Sequence, residues 1–494
     1  MRIVLISMPD VAPVIMHESA FHMPNLGIAS IGANIDPEHD VYLIDLIRKR
    51  TKVRKYLSRK LPDIKPQIVG LSAMTWQFET CLKIIKLVKK LVPRAKIVVG
   101  GYHATLMYKE ISASSESDHI DFIVRGEGEM SFRRIVRAME GKDRLEDIPS
   151  LSFKADDGVF VHNPQGELLD LALVKPPIRD KRRLTWGYHI MNRSVEVMET
   201  SRGCTRSCNF CSIRHMYGRS FRPYPMARIL ADIDSIYRKN RCRWIFISDD
   251  NFVLAPKRVM QLCRAIISRR YQGLHFVVQA DCVTMARNEE MVRLMAAAGF
   301  KSIFLGIENV SKKNLKTAAK GDIVDASRQA IRICHKYGIM VVGGMIFGFP
   351  QDGEQEIIDN YKFLLSTGAD TSYCQILTPY PKTGIRQQLM DEGLVTNPFG
   401  YSRYNGMWAN VRTHQLDSDK LQYLVWYHRQ KVLGWWEPSE RIRRQGRLWT
   451  GIWIYFFRPI MKGIVSRSLR KYGWQGRFER DMARMQAGNR FADL

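Results

Sequence analysis

Several kinds of segment are missing from this chain of 494 residues. No stretch of about 18 uncharged apolar residues occurs, so a helical membrane span is not expected. The apolar start, Met1-Arg2-Ile3-Val4-Leu5-Ile6-Ser7-Met8-Pro9, is too short for the apolar region of a signal peptide and reads as a first strand. Internal repeats, heptads and low-complexity tracts are absent, which argues against a solenoid, a coiled coil or a disordered tail. Paired cysteines are absent too. The nine cysteines are an odd number, and Cys81, Cys242, Cys263, Cys282, Cys334 and Cys374 stand singly in apolar or helical segments. They read as buried free thiols of a reducing, cytoplasmic protein. Acidic residues are scarce: 49 Asp and Glu face 76 Lys and Arg, for a net charge of +27. That excess points to an anionic partner, whether nucleic acid, anionic lipid or a polyanionic substrate, without choosing among them.

What is present is one dense motif, Glu199-Thr200-Ser201-Arg202-Gly203-Cys204-Thr205-Arg206-Ser207-Cys208-Asn209-Phe210-Cys211. Cys204, Cys208 and Cys211 stand at the spacing C-x3-C-x2-C, directly after an apolar strand candidate at Ser194–Met198. Four cysteines close a [4Fe–4S] cluster; three leave one iron open to a ligand that is not protein. Reductive cleavage of S-adenosylmethionine needs such an iron. The open site takes the amino and carboxylate groups of the methionine part, the cluster passes an electron to the sulfonium, and a 5′-deoxyadenosyl radical results. The competing reading is a zinc knuckle, but zinc favours four ligands in two pairs and no second pair exists here.

The first 150 residues alternate short apolar runs with amphipathic segments. Strands are predicted at Ile3–Ser7, Val41–Ile44, Ile68–Ser72, Lys96–Val99 and Phe122–Val124, with helices at Leu26–Ile35 and Glu79–Leu91. This predicts an α/β fold with an open, parallel, Rossmann-like sheet that binds its ligand at the carboxyl ends of the strands. Residues 151–190, rich in proline and arginine, read as a linker. From 191 to 396 a second alternation predicts six βα units, a partial (β/α)6 barrel. Its strands are Ser194–Met198, Trp244–Ser248, His275–Gln279, Ser302–Gly306, Met340–Phe347 and Ser372–Leu377. Helices are predicted at Met226–Lys239, Lys257–Arg269 and Ile323–Tyr337. Barrel chemistry collects at strand C-termini. There the chain carries the three cysteines, Asp249-Asp250-Asn251, Gln279 and Asp281, Glu308, Gly348-Phe349-Pro350 and Pro379-Tyr380-Pro381.

From 397 to 494 the alternation stops, and a basic, tryptophan-rich helical extension is predicted. It holds seven of the ten tryptophans, and from Tyr401 onward 18 Lys and Arg face 7 Asp and Glu. Leu448–Phe457 is apolar and aromatic. Arg441, Arg443, Arg444 and Arg447 precede it, and Arg458, Lys462, Arg467, Arg470 and Lys471 follow it. Two readings stand: a segment lying in the plane of an anionic membrane surface, or a helical cap packed on the barrel.

Six motifs together resemble the cobalamin-binding radical S-adenosylmethionine proteins, a group with anaerobic magnesium-protoporphyrin ester cyclases, P-methylases and hopanoid methylases. They are Val99-Gly100-Gly101-Tyr102-His103-Ala104-Thr105, Arg125-Gly126-Glu127-Gly128-Glu129, the cysteine triplet, Ser248-Asp249-Asp250-Asn251-Phe252, Leu305-Gly306-Ile307-Glu308 and Thr378-Pro379-Tyr380-Pro381-Lys382-Thr383-Gly384. The resemblance covers residues 1–395. It implies a [4Fe–4S] cluster on Cys204, Cys208 and Cys211, the catalytic centre. It implies S-adenosylmethionine contacts from Phe210 at the adenine, Asp249 and Asp250 at the amino group, Glu308 at the ribose, and Gly348. It implies a cobalamin lined by Ser72, Thr75, Gly100, Gly101, His103, Thr105, Gly126 and Glu127. In one respect the chain departs from cobalamin proteins with a cobalt-ligating histidine. That motif would fall at Asp45–Arg50, where Ile47 occupies the histidine position. His103 reads equally as a structural residue at a helix start, and Arg125 with Glu127 as a structural pair at a strand end.

The implied activity is cobalamin-dependent methyl transfer to an unactivated C–H carbon of an apolar or lipid-like small molecule. An electron donor such as a flavodoxin or ferredoxin, and peripheral contact with the inner membrane face, accompany that reading. Two alternatives remain at this point. One is radical oxidative cyclisation or other chemistry without methylation. The other is a basic nucleic-acid-binding protein with a structural cluster, disfavoured because no nucleic-acid module is visible.

Overall fold

The computed structural model describes residues 1–10, 21–184, 187–190, 193–435, 458–488 and 494. Among these, the chain opens on β1 (Arg2–Ser7), β2 (Phe21–His22), β3 (Asp40–Asp45), β4 (Ile68–Ser72), β5 (Lys96–Gly100), β6 (Phe122–Val124), β7 (Leu151–Lys154) and β8 (Phe160–His162). All but β2 form one sheet in the order β3-β1-β4-β5-β6-β7-β8. The pairings from β3 to β6 are parallel, and β7 and β8 join antiparallel. The parallel strands are apolar on both faces because helices cover both. Ile3 and Leu5 belong to one core with Ile28, Phe132 and Ile135; Val4 and Ile6 belong to another with Leu57, Ile84 and Val88.

The strand order puts the reversal of direction between β1 and β4. In such sheets the ligand crevice opens at that reversal, outside the carboxyl ends of the strands. The loop after the edge strand β3 lies one strand away from that reversal. Asp45 and Ile47 are thus off the crevice. Asp45 is a buried structural acid that accepts from the Ser7 hydroxyl at 2.7 Å and the Asn25 amide at 2.8 Å. Asp45–Arg50, the segment set against the cobalt-ligand motif, follows the edge strand and not the strands at the reversal.

The predicted linker is also more structured than its proline content suggests. Residues 151–162 form the β7–β8 hairpin, turned at Asp157-Gly158 with Gly158 at φ 83. Further along, Leu43 bridges Arg182 at the free edge of β3. Arg179 is buried against Glu196 at 2.9 Å and Asp232 at 2.6 Å, and Arg182 reaches Glu196 at 2.5 Å. These pairs fasten the connecting segment to the second half of the chain.

That half is built on β9 (His189–Ile190), β10 (Arg193–Met198), the short pair β11 (Ser201–Arg202) and β12 (Arg222–Pro223), β13 (Trp244–Ile247), β14 (His275–Asp281), β15 (Phe300–Glu308), β16 (Met340–Phe347) and β17 (Thr371–Ile376). Six strands, β10 and β13 to β17, lie side by side in chain order, all parallel. β9 and β2 extend the β10 edge antiparallel, so residues 21–22 cross over to this sheet. One large apolar core fills most of this half-barrel and its helices, and a small cluster of Tyr188, Ile190 and Val195 covers the β9–β10 edge.

The helix Ser418–Trp435 packs against the last strand of the half-barrel and the helix before it. Leu421, Leu424 and Val425 join the barrel core, and the Tyr361 hydroxyl donates to the Val425 carbonyl at 2.9 Å. A last helix, Arg458–Gly488, broken at Gly473, packs on it through Trp474 and Phe478. The part of the extension that is described is therefore a packed cap. Leu448–Phe457 and its preceding arginines lie outside the described residues. No described helix is long and apolar enough to cross a membrane.

Candidate active site

The three cysteines occupy the loop after β10 and β11, half-buried and unpaired. Neighbouring strand ends fix this loop from several sides. Gly203 sits at φ 85, and a Cβ there would lie 2.4 Å from the Ser220 carbonyl oxygen, so only glycine fits. The Gly203 amide donates to Asp250 Oδ2 at 2.9 Å. Arg206 reaches Asp281 at 2.9 Å, and the Asn209 amide donates to the Ala318 carbonyl at 3.0 Å. The loop is thus tied to the ends of β13 and β14 and to the segment after β15. Burial pushes the thiols up, Cys211 to about 12. Bound metal is the charge that would reverse this.

The two aspartates after β13 differ. Asp249 is saturated: it accepts from the Thr200 amide at 2.6 Å, the Thr200 hydroxyl at 2.5 Å and the Ser201 hydroxyl at 2.6 Å. It braces the segment leading to Cys204. Asp250 has one described bond, from Gly203, and burial pushes it up to about 7. Glu308, at the end of β15, is held at φ 63 beside a register shift, and its carboxylate meets the Lys320 ammonium at 3.0 Å. Burial works against the charge of Lys320, but Glu308 and the neighbouring Cys208 and Cys282 thiols together hold the ammonium above its ordinary range. A non-glycine residue in the left-handed region at a strand end is strained, and such strain clusters at functional sites. Phe210 packs against the barrel core. Gly348, at φ 86, lies against Leu421, where a Cβ would approach Cδ2 to 2.8 Å.

On the other side of the mouth, the carboxyl ends of β4, β5 and β6 surround a cavity of about 140 Å³. Ser72, Gly100, Gly101, Gly126 and Glu127 line it, five of the eight residues the resemblance implied. The other three stand behind it. Thr105 accepts from the Gly126 amide at 3.0 Å and donates to the Gly101 carbonyl at 2.9 Å, bracing both turns. Thr75 is buried in a short 3-10 turn. His103 lies between the rings of Phe78 and Tyr401, at 4.3 and 4.9 Å, and burial pushes its imidazole down to about 4.

The inner wall of the cavity was not foreseen. Leu5, Gly27, Ile28, Ile31, Gly70, Val98 and Phe132 form it. Gly70 is the signal that was available: a glycine inside a strand marks a close approach. A Cβ at this position would lie 2.7 Å from Leu5 Cδ2 and 2.7 Å from Phe132 Cε2. Glu199, Arg202 and Tyr217, from the cysteine side, complete the rim. Arg125 does not pair with Glu127. It donates to the Ser150 carbonyl at 3.2 Å and the Leu151 carbonyl at 3.3 Å, and stacks on Tyr108. Glu127 instead accepts from Arg202 and Arg222.

The fold and site define a two-part class: a B12 binding domain, whose profile matches residues 12–136, and a domain of the radical SAM superfamily, matching residues 198–364. The chain is 26% identical to an uncharacterised methyltransferase of Pyrococcus horikoshii over 436 residues, 87% of this chain and 93% of that protein. It is 25% identical to the anaerobic magnesium-protoporphyrin IX monomethyl ester cyclase of Rubrivivax gelatinosus over 375 residues, 73% of this chain and 65% of the cyclase. The fold matches that of OxsB, a cobalamin-dependent S-adenosylmethionine radical enzyme solved with aqua-cobalamin and S-adenosylmethionine, with a TM-score of 0.70 at 17% identity. That match covers 100% of this chain and 81% of OxsB. The chain thus carries both domains found in the cobalamin-binding radical S-adenosylmethionine enzymes, and its cofactors are a [4Fe–4S] cluster, S-adenosylmethionine and cobalamin.

Proposed function

We propose that this enzyme methylates an unactivated carbon of an apolar, lipid-like small molecule. What supports the reading is that the glycine-lined cavity is rimmed by Arg202, which pairs with Glu127 of the cavity and stands two residues before Cys204. When bound, the cluster and S-adenosylmethionine supply a 5′-deoxyadenosyl radical, and cobalamin supplies a methyl group. The chain's own part is to hold these groups and one substrate C–H bond in register and to exclude water.

In this proposal Cys204, Cys208 and Cys211 hold the cluster, and three soft thiols on one braced loop fit it. Asp250 takes the methionine ammonium, since Asp249 is already committed to Thr200 and Ser201. Glu308 orients the ribose, and Phe210 and Gly348 border the nucleoside. Ser72, Gly100, Gly101, Gly126 and Glu127 face the corrin, with Thr75, His103 and Thr105 shaping the turns behind them. The apolar inner cavity suits the ring at the cofactor's nucleotide end: an apolar void near 150 Å³ accepts a benzene-sized ring. An electron donor of the flavodoxin or ferredoxin type reduces the cluster. The basic, tryptophan-rich C-terminal sequence supports presentation of the substrate at an anionic membrane face.

Product mass tests the reaction. Anaerobically reconstituted protein, supplied with S-adenosylmethionine, methylcobalamin, a reductant and a lipid extract, should yield a product heavier than its precursor by one methylene unit. A product without that gain would favour oxidative cyclisation, the second reading that the similarity to the cyclase supports. C208A should lose both the cluster's absorbance and 5′-deoxyadenosine formation; full cleavage activity in that variant would refute the cluster assignment.

A further inference from the structure

The Arg202 side chain links the two parts of the mouth. It is 7% exposed, and each of its three guanidinium nitrogens bonds a different carboxylate. Nη1 donates to Glu127 Oε1 at 2.9 Å, Nη2 to Glu129 Oε1 at 2.6 Å, and Nε to Glu199 Oε2 at 3.0 Å. Two of these partners follow β6 of the cobalamin-binding sheet; the third precedes Arg202 on its own loop. Glu127 is held a second time, by Arg222 at 3.0 Å to each of its oxygens, and Glu129 accepts from the Ser30 hydroxyl at 2.7 Å. The network therefore runs from the first helix of one domain to the cysteine loop of the other. Arg202 lies two residues before Cys204, and Glu127 and Glu129 line the cavity.

Burying several charges at a domain boundary is a poor way to gain stability, since desolvation consumes most of the attraction. What such a network gives is geometry. A planar guanidinium satisfied by three carboxylates has one orientation, and a lysine cannot reproduce it.

We propose that Arg202 is a positioning residue that registers the cysteine loop against the corrin-facing turns, and so couples S-adenosylmethionine cleavage to substrate conversion. The coupling rests on the functional reading above; the mechanical link does not. Amide hydrogen exchange of the full chain as isolated tests the link. In R202K, amides of residues 126–131 in one domain and 199–211 in the other should exchange at least about tenfold faster, the effect of losing one charge-assisted bond from local opening. E129Q, which leaves the guanidinium in place, should loosen the same two segments less, and it carries the test if R202K does not fold. Faster exchange confined to 199–211 in R202K, or in E129Q when that variant stands in for it, would show Arg202 to be a local brace and overturn the proposal. The coupling is read in the reconstituted enzyme as 5′-deoxyadenosine formed per product. That ratio should rise about tenfold in R202K, or in E129Q by a smaller factor. An unchanged ratio with both segments loosened would overturn the coupling. Absence of any methylated product from wild type would count against the functional reading and leave the exchange result standing.

Discussion

His103 shows how packing weighs between the two readings a motif leaves open for a single side chain. It stands in a glycine-turn motif and invites a cofactor role, yet its ring is packed between Phe78 and Tyr401 and held neutral. Its imidazole falls from an ordinary 6.5 to about 4 in the folded protein. Between these values the unfolded chain binds the proton and the folded chain does not, so acid favours unfolding. The contribution is full above 6.5 and is lost progressively as pH falls toward 4. By pH 5 the loss amounts to about 2 kcal/mol. Thermal melts of wild type and H103F at pH 7 and pH 5 check this. Wild type should lose stability relative to H103F by that amount on acidification, a few degrees in midpoint. Parallel pH profiles would mean that the imidazole reaches solvent. Glu308 and Asp249 carry the same lesson. Each was singled out by type and spacing, but only the structure separates a strained carboxylate beside a buried lysine from one saturated by its own loop.

At the scale of elements, the sheets were the most legible part. Parallel strands buried on both faces leave near-continuous apolar runs, and Ile68–Ser72, Phe122–Val124 and Met340–Phe347 have the predicted ends. What escaped notice was short or antiparallel. β2 and β9 are two residues each, too brief for any periodicity. The β7–β8 hairpin was hidden by flanking prolines, although Asp157-Gly158 is a strong hairpin signal. The cavity wall escaped because its residues come from strands and helices far apart in sequence. The turns themselves are tight enough to predict consequences. Gly101 sits at φ 93, where a Cβ would lie 2.7 Å from the Ala73 carbonyl oxygen. G101A should cost about 1–3 kcal/mol in denaturant unfolding. G70V acts differently. Its branched side chain enters the space beside Leu5 and Phe132, so the purified variant should retain little corrin while still assembling the cluster on the other domain. Normal corrin content in G70V would mean that the cavity does not serve cobalamin.

At the scale of the whole molecule, the two populations of C-terminal tryptophan have to be told apart before the charge of +27 can be interpreted. Trp426 is buried, with its indole N–H on Asp481 at 3.2 Å and its ring against Trp474 and Phe478. It belongs to the cap that closes the barrel, so W426A should destabilise the protein by about 3 kcal/mol. Loss of membrane binding in that variant would say nothing about a membrane site. The informative positions are Trp449, Trp453 and Phe456, in the apolar stretch between the arginine-rich segments. If that stretch meets anionic lipid, its aromatic residues supply apolar affinity, and each flanking cation adds about 1 kcal/mol near a charged surface. Wild type should then co-sediment with anionic vesicles more than with neutral ones, and the difference should shrink between low and physiological salt as exposed charges are screened. Replacing the three residues with serine should release the protein from vesicles while its melting midpoint and 5′-deoxyadenosine formation stay close to wild type. A protein that ignores vesicles, and whose triple variant melts early, would place these aromatics in the cap with Trp426. The excess charge would then need a soluble partner, either an acidic electron-transfer protein or an anionic substrate.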